Sequence, residues 1–245
     1  MKTNSRTPAS LPRPLSPARL CARLEKTYGP VEPPEQWPVL DELVAVILSQ
    51  NTSDRNSGAA FEELKRRFPD WDAVRRAPVA RVAEAIRVAG LADQKAPRIQ
   101  HVLRRVLEQH GRLSLEFLHD LPVREAIDYL RQFPGVGPKT VACVLLFACR
   151  KPVLPVDTHV HRVSQRLGLI GENVDAAKAH ELLASQVPER LVLDFHIQLI
   201  RHGRTVCTAV RPECDRCVLV DRCASGPARL NEIGRSASLG RPRRT

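Results

Sequence analysis

Four of the seven cysteines in this chain, Cys207, Cys214, Cys217 and Cys223, fall within seventeen residues at the spacing C-x6-C-x2-C-x5-C. Thiolates this close together can surround one metal centre, either a [4Fe–4S] cluster or a tetrahedral zinc ion. The spacing matches neither the ferredoxin runs nor the paired C-x2-C arrangement usual for zinc. Disulfides are the plainer alternative. Against them, the first twenty residues hold no apolar stretch fit for a secretory signal, and the cysteine count is odd. A centre closed by four thiolates keeps no open position for a substrate, so a structural role is expected. Arg201, Arg204, Arg211, Arg216 and Arg222 surround the cysteines and could meet phosphates, although solvated surface charge would look the same. Cys143 and Cys149 lie in an apolar stretch and read as buried thiols rather than ligands.

A nucleophile is offered by residues 125–149, EAIDYLRQFPGVGPKTVACVLLFAC. The pattern is a helix, the turn Pro134-Gly135-Val136-Gly137, and a second helix opened by Pro138. Gly135 and Gly137 allow positive φ and close backbone approach, while Pro138 suits a first helical position. The unpaired N–H groups of such a turn and helix start form an anion site, which on DNA means a backbone phosphate. Lys139 follows directly, in a chain with 7 lysines against 31 arginines. Arginine would attract phosphate equally well but stays protonated, whereas a lysine amine attacks once its pKa falls. The positive end of the second helix pushes in that direction. A surface lysine near DNA is the bland alternative.

A carboxylate follows in Leu154-Pro155-Val156-Asp157-Thr158-His159-Val160-His161-Arg162. Asp157 stands just before a new helical pattern, where it can serve as an N-cap. Capping does not preclude catalysis: a carboxylate held near a lysine can stabilise positive charge on a sugar or assist proton transfer. His159 and His161 are as well suited to orienting the loop as to catalysis.

The elements that position these groups are helical. Segment 40–50, LDELVAVILSQ, suits a buried helix with Leu43, Val44, Ile47 and Leu48 in the core. Segment 57–68 places Ala60, Phe61, Leu64 and Phe68 on one face, and segments 79–89 and 95–110 repeat the spacing across a Gly90 turn. Strand-like alternation is scarce, so the class is all-α. No apolar run approaches the ~18 residues of a membrane span. The formal charge of +11 favours an anionic partner, but residues 1–20 and 229–245 each supply +4 of it, which weakens the inference for the body of the chain. Those Pro-, Ser- and Arg-rich ends lack apolar residues and are expected to be disordered.

The helix–PGVG–helix with Lys139, then Val156-Asp157-Thr158-His159, then His202-Gly203-Arg204 running into the cysteines, resembles endonuclease III, a family of helix-hairpin-helix DNA glycosylases, over about residues 20–225. The resemblance implies two helical lobes with a DNA-binding cleft between them. Residues 41–151 would form a six-helix barrel carrying the helix-hairpin-helix, and residues 17–40 with 152–225 an iron–sulfur cluster lobe. Residues 1–16 would be a basic arm and 226–245 a basic tail, both disordered. It further implies a [4Fe–4S] cluster on Cys207, Cys214, Cys217 and Cys223, Lys139 as nucleophile and Asp157 as the essential carboxylate. Gly135, Val136 and Gly137 would offer backbone N–H groups to phosphate. In Leu48-Ser49-Gln50-Asn51-Thr52-Ser53-Asp54, either Gln50 or Asn51 would fill the gap left by a flipped nucleotide, Asn51 aligning with the family's glutamine. Leu91 matches an apolar wedge, its alternative being a core leucine at a turn.

The implied reaction is base excision: a bifunctional DNA glycosylase/AP lyase removes oxidised pyrimidines from duplex DNA through a lysine Schiff base and β-elimination. Its partner is double-stranded DNA with damaged bases or abasic sites; no membrane is involved, and a monomer in the bacterial cytoplasm, associated with the nucleoid, is expected. Monofunctional relatives specific for adenine or mismatched thymine usually lack a lysine at the Lys139 position. A non-catalytic DNA-binding module would have no need of both Lys139 and Asp157.

Overall fold

A computed structural model describes residues 14–230, and no strand occurs among the described residues. In chain order the helices are α1 (Pro17–Tyr28), α2 (Val39–Ser49), α3 (Asp54–Arg67), α4 (Trp71–Arg76) and α5 (Val79–Ala85). There follow α6 (Ala92–His110), α7 (Val123–Arg131), α8 (Pro138–Phe147), α9 (Thr158–Leu167), α10 (Ala176–Ala184) and α11 (Val192–Thr205). The chain divides into two units, one of Pro33–Pro155 and one of Met1–Glu32 with Val156–Thr245.

In the 33–155 unit, α2 is apolar on nearly every side, and Val39, Leu40, Leu43, Val44, Val46, Ile47 and Leu48 are all buried. A helix without a polar face must be enclosed, and α3, α6 and α8 pack around it. The resulting core runs without a break from Val39 to Cys149. Helix α3 starts where the Ser53 side chain accepts the Asn56 N–H, and α4 where Asp70 accepts that of Ala73. Both are N-caps that satisfy otherwise orphan donors. The helix expected over 79–89 is broken. Helix α5 ends at Ala85, and a 3-10 turn, Arg87–Ala89, leads into Gly90 at φ 68°. The Ala89 carbonyl turns instead to the Lys95 ammonium, at 2.9 Å.

In the other unit, α11 packs against both α9 and α1. Phe195, Leu199 and His202 of α11 are buried, as are Val160 and Val163 of α9 and Leu20 and Leu24 of α1. Helices α11 and α9 meet closely at Gly203, where a Cβ would stand 3.0 Å from that of His159. The cysteine segment forms two 3-10 turns, Cys214–Arg216 and Val220–Arg222. Residues 226–230, expected within a disordered tail, are helical. Pro227 suits a first turn, and Gly226 is buried where a Cβ would meet the Val220 carbonyl at 2.8 Å. At the other end, residues 14–16 lead into α1, with Ser16 at its N-cap. The rest of the expected basic arm and tail, residues 1–13 and 231–245, lies outside the described residues. Among the described residues no helix is long and apolar enough to cross a membrane.

Candidate active site and cysteine-lined cavity

Helix α7 leads into the hairpin through Leu130 and Phe133, both buried. Gly135 takes φ +78°, a left-handed conformation that favours glycine, and a Cβ there would also displace the Arg98 guanidinium. Val136 departs from expectation. Its side chain is buried, and its N–H is taken by the Phe133 carbonyl at 3.1 Å. It plugs the turn into the core, leaving Gly135 and Gly137 as the hairpin positions whose N–H groups meet no acceptor among the described residues. Pro138 opens α8, and Lys139, half-buried, is its second residue.

Glu42 on α2, which packs against α8, supplies a carboxylate with no place among the candidates drawn from the sequence. Burial pushes its carboxyl up to about 7, against the opposing pull of Lys139 and Arg150. It therefore exchanges a proton near neutral pH within the field of Lys139. A sequence signal for it exists: an acid inside VLDELVAVILS, in the middle of an otherwise buried helix.

The two candidates for the gap-filling position part company. The Gln50 amide donates to the Gly135 carbonyl at 2.9 Å and to Thr140 Oγ1 at 3.3 Å, and accepts from Arg98 at 2.9 Å. Both polar atoms of its side chain are engaged, tying the end of α2 to the hairpin and to α6. Asn51 is exposed and adopts φ 54°. Leu91 is 46% exposed at φ 49°, so it is no core leucine. Behind both lies Lys95, buried and bonded to the carbonyls of Leu48 and Ala89. Desolvation, with Arg98 nearby, draws its ammonium below the usual lysine range. Neither Arg98 nor Lys95 carries a local sequence signal, because Gln50, which Arg98 bonds, and Leu48, which Lys95 bonds, lie 48 and 47 residues away.

Asp157 belongs to the other unit, where it caps α9 by accepting the Val160 N–H at 2.7 Å. Its neighbours hold backbone. His161 Nε2 stands 2.8 Å from the Val174 carbonyl, and His159 Nδ1 stands 3.1 Å from Arg162, which donates to the Gly203 carbonyl.

Cys207, Cys214, Cys217 and Cys223 line one cavity, closed off by Val163 and Leu167 of α9. All are free thiols. Donors face the sulfurs: the Arg166 guanidinium lies 3.4 Å from Cys207 Sγ, and the Leu219 N–H 3.4 Å from Cys217 Sγ. Burial pushes the Cys217 thiol up to about 11, so an adjacent positive centre is needed to keep it a thiolate at neutral pH. No three His, Cys, Asp or Glu side chains among the described residues converge on one metal-ion position. The fit to a cluster therefore rests on the donor set, four sulfurs around one enclosed space. His202, 3.5 Å from Cys217 and 2.9 Å from the Tyr28 hydroxyl, is lowered by burial to about 4 and is neutral.

An all-helical fold with a helix-hairpin-helix turn and a four-cysteine cavity defines a class of iron–sulfur proteins of DNA repair. Residues 44–189 match the model of the HhH-GPD superfamily base excision DNA repair proteins, and residues 207–223 the iron–sulfur binding domain of endonuclease III. A putative DNA glycosylase of Arabidopsis thaliana is 42% identical over 174 residues, 71% of this chain; the match spans 59% of that relative's length. Endonuclease III of Sulfolobus acidocaldarius is 33% identical over 189 residues, covering 76% of this chain and 81% of that one. A solved structure of a trapped endonuclease III–DNA covalent intermediate superposes with TM-score 0.75 at 26% identity, covering 88% of this chain and 99% of the other. The chain belongs to the endonuclease III family of the HhH-GPD superfamily, and its cofactor is a [4Fe–4S] cluster.

Proposed function

We propose that the protein is a bifunctional DNA glycosylase/AP lyase that removes oxidised pyrimidines from duplex DNA, acting as a monomer. The observation that carries this reading is Lys139, an amine at the second position of α8, directly after the hairpin and within the field of Glu42. The covalent complex named for the endonuclease III structure supports a covalent route.

The damaged nucleotide leaves the stack at a cost of a few kcal/mol, smaller for weakly paired lesions. The Lys139 amine attacks C1′ of the deoxyribose; the glycosidic bond breaks and the base departs with its electron pair and takes up a proton. Asp157 stabilises the positive charge on the sugar and assists deprotonation of the amine. The sugar opens to a Schiff base, loss of a C2′ proton expels the 3′ phosphate, and water releases the enzyme. The N–H groups of Gly135 and Gly137 bind a backbone phosphate. Asn51, rather than the engaged Gln50, fills the vacated space, and Leu91 wedges into the stack. Cys207, Cys214, Cys217 and Cys223 hold the cluster; when bound it orders the segment between them, since four thiolates leave no position for substrate.

The test is borohydride trapping on a duplex with one thymine glycol, parent against Lys139→Ala. A covalent adduct with the parent alone establishes the Schiff base. No adduct from the cluster-loaded parent, on this lesion or on a plain abasic site, removes the lyase and leaves a monofunctional or purely DNA-binding protein.

A further inference from the structure

Lys95 is among the largest fully buried side chains of the described residues, 1% exposed. Its ammonium donates to the Leu48 carbonyl at 2.7 Å and to the Ala89 carbonyl at 2.9 Å, 47 and 6 residues away. Packing alone does not call for this, because an apolar chain of similar length would fill the space without burying a charge. Both acceptors end helical segments. Leu48 is in the last turn of α2, and Ala89 closes the 3-10 turn before Gly90. Carbonyl ends carry partial negative charge, which a buried cation offsets.

An exposed side chain stands just beyond each acceptor. Three residues past Leu48 is Asn51, exposed at φ 54°; two past Ala89 is Leu91, exposed at φ 49°. A left-handed leucine is costly and persists only where its surroundings over-determine it. Lys95 sits one turn after Leu91, whose carbonyl accepts the Lys95 N–H at 2.9 Å. Its side chain runs back toward the helix start, as helical side chains do. One residue thus joins both segments.

We propose that Lys95 is a positioning residue that makes the Asn51 and Leu91 segments a single rigid, two-pronged probe of the duplex. This rests on the proposed function, in which these two side chains enter DNA.

The test uses the full chain and a duplex with one thymine glycol beside 2-aminopurine, whose fluorescence rises on unstacking. Parent, Lys95→Met, Leu91→Ala and the double variant are compared. Lys95→Met is expected to slow the fluorescence rise about ten-fold, while incision of a ready-made abasic site falls less than about two-fold, since its sugar is already free of the stack. In the Leu91→Ala background, Lys95→Met is expected to add less than about two-fold, as coupled residues do. A full multiplicative loss in that background overturns the proposal, as does an equal loss on both substrates. If Lys95→Met melts below the assay temperature, the cycle of Asn51→Ala with Leu91→Ala takes its place. One rigid unit gives a second loss under about two-fold, and independent prongs give the product of the two. A parent that releases no base but still unstacks the reporter defeats the functional reading and leaves this test standing; a parent that never unstacks it defeats the proposal.

Discussion

The hairpin at 134–137 sits on helices whose apolar side chains form one core from Val39 to Cys149, whereas the cysteine segment 207–223 buries only Cys214 and Leu219. The first region is held by apolar burial, which is large and non-directional. The second is strapped by side chains. Arg166 donates to the carbonyls of Thr208 and Ala209 at 2.7 and 2.9 Å, and Arg162 to that of Cys207 at 3.2 Å. The difference teaches where each region can spend structure on function. A deep core can carry a buried ammonium, a raised carboxyl and left-handed residues at Asn51, Leu91 and Arg150. A thin loop with 3-10 turns has no such reserve and depends on guanidinium straps and its cluster.

The largest expected effect breaks the thin region. Cys217→Ser should prevent cluster retention and remove more than about 5 kcal/mol of order from the cysteine segment, because metal binding there is folding free energy. Loss of iron absorbance, with rapid proteolysis inside 206–226 and a still-resistant 33–155 unit, is the expected pattern; equal digestion of both units would dissolve the contrast. Next comes Leu43→Ala, at a fully buried position of α2. A core truncation of this kind costs about 2–5 kcal/mol, read by denaturant unfolding with iron content unchanged. Arg166→Met should follow, at about 3 kcal/mol, since it leaves carbonyls without donors. Its readout is faster iron loss to a chelator, with the melting of the 33–155 unit unmoved.

The smallest effect sharpens the comparison by pH. The Glu42 carboxyl is raised to about 7, so the folded unit holds its proton more tightly than the unfolded chain does. That contribution is fully present below the ordinary carboxyl range near 4.5 and is lost as pH rises through 7. Glu42→Gln should remove this slope and gain about 1–2 kcal/mol at pH 8 with little change at pH 4. Melting curves at the two pH values check it, and a slope that survives the substitution would assign the dependence elsewhere.

The sequence by itself determined what depends on neighbours along the chain. Apolar spacing placed α2, α3 and α6, although it ran the fifth helix past Ala85, where the chain breaks into a 3-10 turn and the Lys95 ammonium claims the Ala89 carbonyl. Turn chemistry placed the hairpin, Pro138 and Lys139, and the Asp157 cap emerged from its position before a helix. Cysteine spacing identified a metal segment but not how it is held. Only the tertiary structure decided that Gln50 is bound to Gly135 and Arg98 while Asn51 is free to reach outward. It alone turned Val136 inward, set Glu42 in the field of Lys139, and buried Lys95 between two carbonyls. The physical reason is common to all of these. A helix or turn is specified by residues a few positions apart, but each of these polar groups has a partner tens of residues away, chosen by packing.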